Sequence, residues 1–179
     1  MANTPFHHLL LSTAFSCMAC DGDIDDREIE LVRKLASDKK LFGDTDMGAV
    51  VAELSSEIGD QGYFFLRRYI DRLEEATLTE NQQISIVDIA VKTIEADDQV
   101  DYAEVKFFKI LRSKLSVSDE AILDKLPGKE KYLEQDIISP SYLQRMQTEF
   151  FLSTHVLGEV AFSSNQLDVL LQGKPLSRI

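Results

Sequence analysis

Six carboxylates fall within thirteen residues of Cys20-Asp21-Gly22-Asp23-Ile24-Asp25-Asp26-Arg27-Glu28-Ile29-Glu30-Leu31-Val32. A second, sparser version follows as Ala96-Asp97-Asp98-Gln99-Val100-Asp101-Tyr102-Ala103-Glu104-Val105, offset by roughly 76 residues. Asp21 falls on Asp97, Asp25 on Asp101, Glu28 on Glu104 and Ile24 on Val100. Hard oxygen donors in this density suit calcium, magnesium or manganese rather than zinc. The candidate metal ligands are Asp21, Asp23, Asp25, Glu28, Asp97, Asp98, Asp101 and Glu104. An EF-hand is rejected, although Asp21, Asp23 and Asp25 open like one. Its glycine position holds Asp26 and its bidentate glutamate position holds Val32.

Helix capping competes with metal binding for the same side chains. Asp25 with Glu28, and Asp101 with Glu104, have capping-box spacing, and carboxylates there oppose the positive end of a helix dipole. Asp21 and Asp97 are different. Each sits where the preceding helix ends, against its negative pole, at a cost of about 0.3–1 kcal/mol if exposed. Glu95 and Asp98 add to that cost in the second copy. A bound cation, or a Lys or Arg of a partner, would relieve it.

The chain's only cysteines form Cys17-Met18-Ala19-Cys20. A redox CxxC opens a helix after a strand, where the dipole lowers the thiol pKa. This one closes a helix, and its repeat counterparts are Thr93 and Ala96, so both thiols are read as core. A zinc site would need a second ligand pair, which His7, His8 and His155 do not supply. Adjacent on a helix, His7 and His8 point about 100° apart and are read as surface residues. Arg67, Arg68 and Arg72 read as a solvated helix face. In the aromatic runs Tyr63-Phe64-Phe65, Phe107-Phe108 and Phe150-Phe151, one member of each must face another helix layer or a partner.

Helices must position these groups. Few glycines (8) and prolines (4) in 179 residues disfavour a turn-rich sheet protein. Thr4-Pro5 reads as a helix start, with Leu10, Ala14, Cys17 and Met18 as its apolar face. After the first acidic turn a helix runs to about Lys39, and Leu41-Phe42-Gly43-Asp44 breaks the pattern. Further helices are expected from Met47 to Ile58, ending at Gly59, and from about Gln61 through Leu73. A third group starts at Thr79, Asp101 and Ser118. Beyond Pro127 the character changes: Ile137 to Ser141 reads as loop, Tyr142 to Leu152 as helix, and Leu167 to Leu171 as a short apolar piece. The expected fold is an all-α, single-domain bundle of about seven helices built from two pseudo-repeats over residues 1–126. Residues 127–179 form a C-terminal extension, either a cap or an interaction arm.

The paired turns resemble the TerB-like domain of tellurite-resistance and related stress proteins, also found in some membrane-anchored DnaJ-type co-chaperones. That pattern is an apolar helix, Ala-Asp-Gly-Glu-like residues, and a Glu opening the next helix, occurring twice. Here it reads Cys20-Asp21-Gly22-Asp23 to Glu28, then Ala96-Asp97-Asp98-Gln99 to Glu104, the second without the Gly and second acid. The match covers roughly residues 1–126. It implies a helical bundle, a link to tellurite or general stress response, and acids that hold a metal; established enzymes are not part of it.

A net charge of −12 repels phosphate backbones, which disfavours direct nucleic-acid binding, and no nucleic-acid partner is expected. No apolar run spans a bilayer, and the N-terminus lacks an early basic residue and a small-x-small cleavage site. The expected setting is cytoplasmic. No phosphate loop, dinucleotide fingerprint, nucleophile elbow or zinc-protease helix occurs. The leading expectation is a non-enzymatic stress-response module that binds partner proteins, with a divalent cation as candidate cofactor. Expected partners are basic or membrane-associated proteins, or a second copy of the chain. One alternative is a small metal-dependent enzyme using Asp21, Asp23 and Asp97. Another is a co-chaperone-like adaptor docking through Leu143, Met146 and Phe150 of the C-terminal arm.

Overall fold

Every residue from Leu9 to Cys20 is buried, which places helix α1 (Thr4–Ala19) at the centre of the molecule. A computed structural model describes residues 4–96, 100–134, 140–154 and 161–172. α1 touches α2 (Asp26–Ala36), α4 (Met47–Gln61), α5 (Tyr63–Glu75), α6 (Glu80–Ile94) and α7 (Tyr102–Ser113). The single apolar face expected for it is therefore a full apolar circumference. Ser16 Oγ is buried with no partner among the described residues, but Ser12 and Thr13 fit because they are small and bond backward: Ser12 Oγ donates to His8 O at 2.8 Å and Thr13 Oγ1 to Leu9 O at 3.0 Å. Such hydroxyls read as a solvent face in sequence but satisfy themselves within the helix.

The remaining elements are α3 (Lys39–Phe42), α8 (Asp119–Lys125), α9 (Glu130–Leu133), α10 (Pro140–Thr154) and α11 (Ser164–Gln172). All regular structure among the described residues is helical, as expected. Where the sequence pattern breaks at Leu41-Phe42, the chain still makes one helical turn, α3, capped by Asp38. α4 runs past the expected stop. Gly59 is helical, and the chain reverses at Gly62, whose φ of +52° suits a residue without Cβ. No described helix is long and apolar enough to cross a membrane.

The repeat is visible in three dimensions. α1 and α6 begin 76 residues apart, at Thr4 and Glu80, and so do α2 and α7, at Asp26 and Tyr102. Both capping boxes form, Asp25 with Glu28 and Asp101 with Glu104. One counterpart pair diverges: Ile24 is buried, whereas Val100 is 45% exposed. α11 accounts for the difference. It lies against α2 and α4, and Gln166 Nε2 donates to Ile24 O at 2.8 Å and to Asp26 Oδ1 at 3.1 Å. The C-terminal segment thus covers the first hinge.

α9 and α10 supply the second layer that the aromatic runs demand. Phe107 stacks between Tyr69 and Phe150, with centroids at 6.2 and 5.8 Å, while Phe108 meets Tyr132 of α9 at 5.6 Å. Met146 and Phe150 are buried and Leu143 is partly buried against the core. That trio forms no exposed patch, which counts against docking through it. Its burial instead seats α10 on α5 and α7.

Candidate functional site

Both hinges gather at the C-terminal end of α1. Burial, then the Glu104 charge, then the Glu28 charge raise the Cys17 thiol well above its ordinary pKa. The Cys20 thiol is raised likewise, with Asp21 adding to its surroundings. Residues from the two copies therefore flank one buried helix end. Both thiols are free and buried, and Cys20 Sγ donates to Cys17 O at 3.0 Å. Thiolate chemistry is suppressed here, in agreement with the core reading.

Four of the candidate ligands serve as caps. Asp25 Oδ1 accepts from Arg27 N–H at 2.7 Å, and Glu28 Oε2 accepts from Asp25 N–H at 3.0 Å. In the second copy, Asp101 Oδ1 accepts from Ala103 N–H and Glu104 Oε2 from Asp101 N–H, both at 2.7 Å. Glu28 and Glu104 are each only 5% exposed. The Arg27 guanidinium, bonded at 3.1 Å, holds the Asp25 carboxyl below its usual pKa.

Asp21 behaves differently. It sits beyond the end of α1, partly buried, with Oδ1 accepting from Asp23 N–H at 2.9 Å. Gly22, with φ of +88°, makes the tight turn between them. Burial pushes the Asp21 pKa up, and the Asp101 and Asp23 charges push it further; the Asp23 N–H opposes them. Asp101 belongs to the other hinge, so the two copies feel each other electrostatically. Asp23 is exposed. Asp97 and Asp98 lie outside the described residues. Among the described residues, no three His, Cys, Asp or Glu side chains form a group able to hold a metal ion.

Two readings of the surroundings need correction. Glu95, expected to strain the second hinge, is neutralised within the chain: Lys129 and Lys131 pair with it, and Tyr132 Oη donates to it at 3.0 Å. Although its burial opposes them, these bonds hold its pKa below the usual range. They also tie α9 to the end of α6. His7 is half-buried rather than a plain surface residue. Its ring meets Phe42 edge-on at 5.4 Å, and its Nδ1 is buried without a partner among the described residues.

An open cavity of about 370 Å³ separates α2 from the end of α6 beside the hinges. Arg27, Lys34 and Lys92 line it along with Asp26 and Glu30. The cations there disfavour a divalent ion, although Arg27 and Lys92 are paired with Asp25 and Asp88. Comparison with protein-family models, curated proteins and solved structures returns no match.

Gln166 and Gln83 do structural work that their sequence positions conceal. Ser163-Ser164-Asn165-Gln166 carries the S-x-x-Q pattern of a helix start, and the reciprocal bonds form at 2.9 and 3.2 Å. Nothing in that pattern announces the bond to Ile24.

The Asp21 environment makes a signed prediction. An acid with a raised folded pKa loses stability as pH climbs from its unfolded value, 3.8, through the folded one. Asp21→Asn keeps an oxygen for the Asp23 N–H and removes the charge. In chelator at pH 7 this variant should be more stable than wild type, by up to about 1 kcal/mol. At pH 3, where Asp21 is protonated anyway, the difference should vanish. Equal melting of the two proteins at pH 7 would refute the strained-carboxylate reading.

Proposed function

We propose that this chain is a TerB-like, non-enzymatic module of stress response that binds partner proteins, with a divalent cation at its paired acidic hinges. The observation that carries the proposal is the placement of Asp21. It is a partly buried carboxylate at the wrong end of a helix, its pKa raised by burial and by a carboxylate of the other hinge. Capping explains Asp25, Glu28, Asp101 and Glu104, but it gives Asp21 no favourable role toward α1. A cation supplies one. Bound at Asp21, it would offset the helix pole and the neighbouring acids together. Calcium, magnesium and manganese are the candidates, because the neighbouring charged groups are carboxylates.

A resident cation would also act on partners. It would lower the negative charge at the hinges, where Val100 and Tyr102 of the second copy are exposed. The metal-dependent enzyme is less favoured. It needs both hinges to face a shared pocket, and the cavity beside them is lined by Arg27, Lys34 and Lys92.

Thermal melting tests the cation. For a weak site, calcium, manganese or magnesium at ten to a hundred times Kd should stabilise wild type by about 1.4–2.7 kcal/mol. That corresponds to roughly 3–11 °C in Tm for a chain of this size. Asp21→Asn should lose most of the shift. Melting that ignores EDTA and millimolar metal, in both proteins alike, would remove the cation from the proposal.

A further inference from the structure

α5, α7 and α10 line a groove of about 650 Å³ with an unusual make-up. The chain carries 31 acids against 19 bases. Yet among the described residues the charged side chains lining this groove are Arg67 and Lys114. Tyr63, Leu143, Phe151 and Leu152 supply its apolar walls, and Ser113, Gln144, Gln147 and Thr148 line it with uncharged polar groups. Leu152 is 66% exposed, and Phe64, stacked on Tyr63 at 4.3 Å, is 51% exposed. The two neighbouring arginines of α5 are occupied. Arg68 donates to Gln61 Oε1 at 2.6 Å and Arg72 approaches Glu57 at 3.9 Å. Arg67 itself is exposed and has no such partner among the described residues. Lys114 pairs with Glu74 at 2.9 Å, and the Glu74 side chain is mostly exposed.

We propose that this groove docks an acidic, amphipathic peptide segment of a partner protein. This names a site and a partner chemistry, and it rests on the partner-binding reading. The charge of the occupant follows from Arg67. A neutral or basic segment laid over the groove would strip water from the guanidinium and return no counter-charge, a strongly unfavourable burial. A carboxylate answers it in bidentate geometry. An incoming carboxylate can also take Lys114 from the exposed Glu74. The apolar walls set the other half of the pattern, since leucine- or phenylalanine-sized side chains would cover Leu152 and Phe151. The net charge of −12 repels an acidic segment at long range, so docking relies on contacts inside the groove rather than on steering.

The test is selection of phage-displayed random dodecapeptides on the immobilised full chain, with affinities of the winners measured by fluorescence anisotropy. The expected winners combine Asp or Glu with large apolar residues. Arg67→Glu and Leu152→Asp, both at exposed positions, should each weaken them at least about tenfold without shifting Tm. Acidic winners indifferent to both variants would overturn the groove, and so would an absence of any winner. Basic winners lost on Asp21→Asn would overturn it too, while supporting partner binding at the hinges. Self-association abolished by Arg67→Glu would assign the groove to a second copy and overturn the partner. No winner together with metal-indifferent melting would take the whole partner reading with it.

Discussion

Truncating Phe107 to Ala should destabilise the protein by about 3–5 kcal/mol, lowering Tm by roughly 6–20 °C. Phe107 is fully buried on α7, and its ring fills the space between Tyr69 of α5 and Phe150 of α10. Few neighbours can relax into the vacancy. Tyr69 is held by a bond of 2.8 Å between its hydroxyl and that of Thr13, and burial raises its pKa well above the usual. The loss should appear in urea unfolding as a lower midpoint with an unchanged slope. Phe64→Ala, at a half-exposed ring, should stay within about 0.5 kcal/mol of wild type. If Phe107→Ala melts with wild type, α10 does not sit on α7 as described. The walls of the basic groove would then be misplaced as well.

Gln83→Ala should cost about 2–4 kcal/mol, although it removes only a polar side chain from a helix. Gln83 Oε1 accepts from Ser116 N–H at 2.8 Å and from Val117 N–H at 2.9 Å. Its Nε2 donates to Leu78 O at 3.2 Å. The amide thereby fastens the start of α6 to the loop between α7 and α8. Alanine leaves the buried Val117 N–H, and the part-buried Ser116 N–H beside it, without their acceptor. Gln83→Glu should recover part of the loss, because it keeps the acceptors but turns an oxygen toward Leu78 O. Faster hydrogen exchange at the Val117 amide would localise the effect. A change under about 0.5 kcal/mol would mean that the loop finds other partners.

Local chemistry made the helix starts legible in the sequence. Asp25, Thr79, Asp101 and Ser118 cap where their spacing predicts, because a cap depends on residues within one turn of itself. The duplication was legible for the same reason, since each copy carries its own caps. Long-range facts were not. The burial of α1 on all sides depends on five other helices, and periodicity cannot register them. The Gly59 and Gly62 choice turned on which glycine needed a positive φ. Ile24 and Val100 look equivalent in the repeat, and only α11, arriving from more than a hundred residues away, separates them.

The candidate site divides along the same line. Sequence marked the carboxylates and their capping roles. It could not assign Lys129 and Lys131 to Glu95, because that relief comes from α9. Nor could it single out Arg67 from Arg68 and Arg72. On the helix they are one cluster, and only the surroundings leave Arg67 to line the groove.

The decisive measurement is a crystal structure of the protein grown with millimolar calcium, with anomalous maps to locate the ion. Calcium should appear about 2.3–2.6 Å from an Asp21 carboxylate oxygen, with a donor from the second hinge in the same coordination shell. An Asp21 contacted by water alone, with no ion at either hinge, would contradict the cation-bearing hinge on which the proposed function stands.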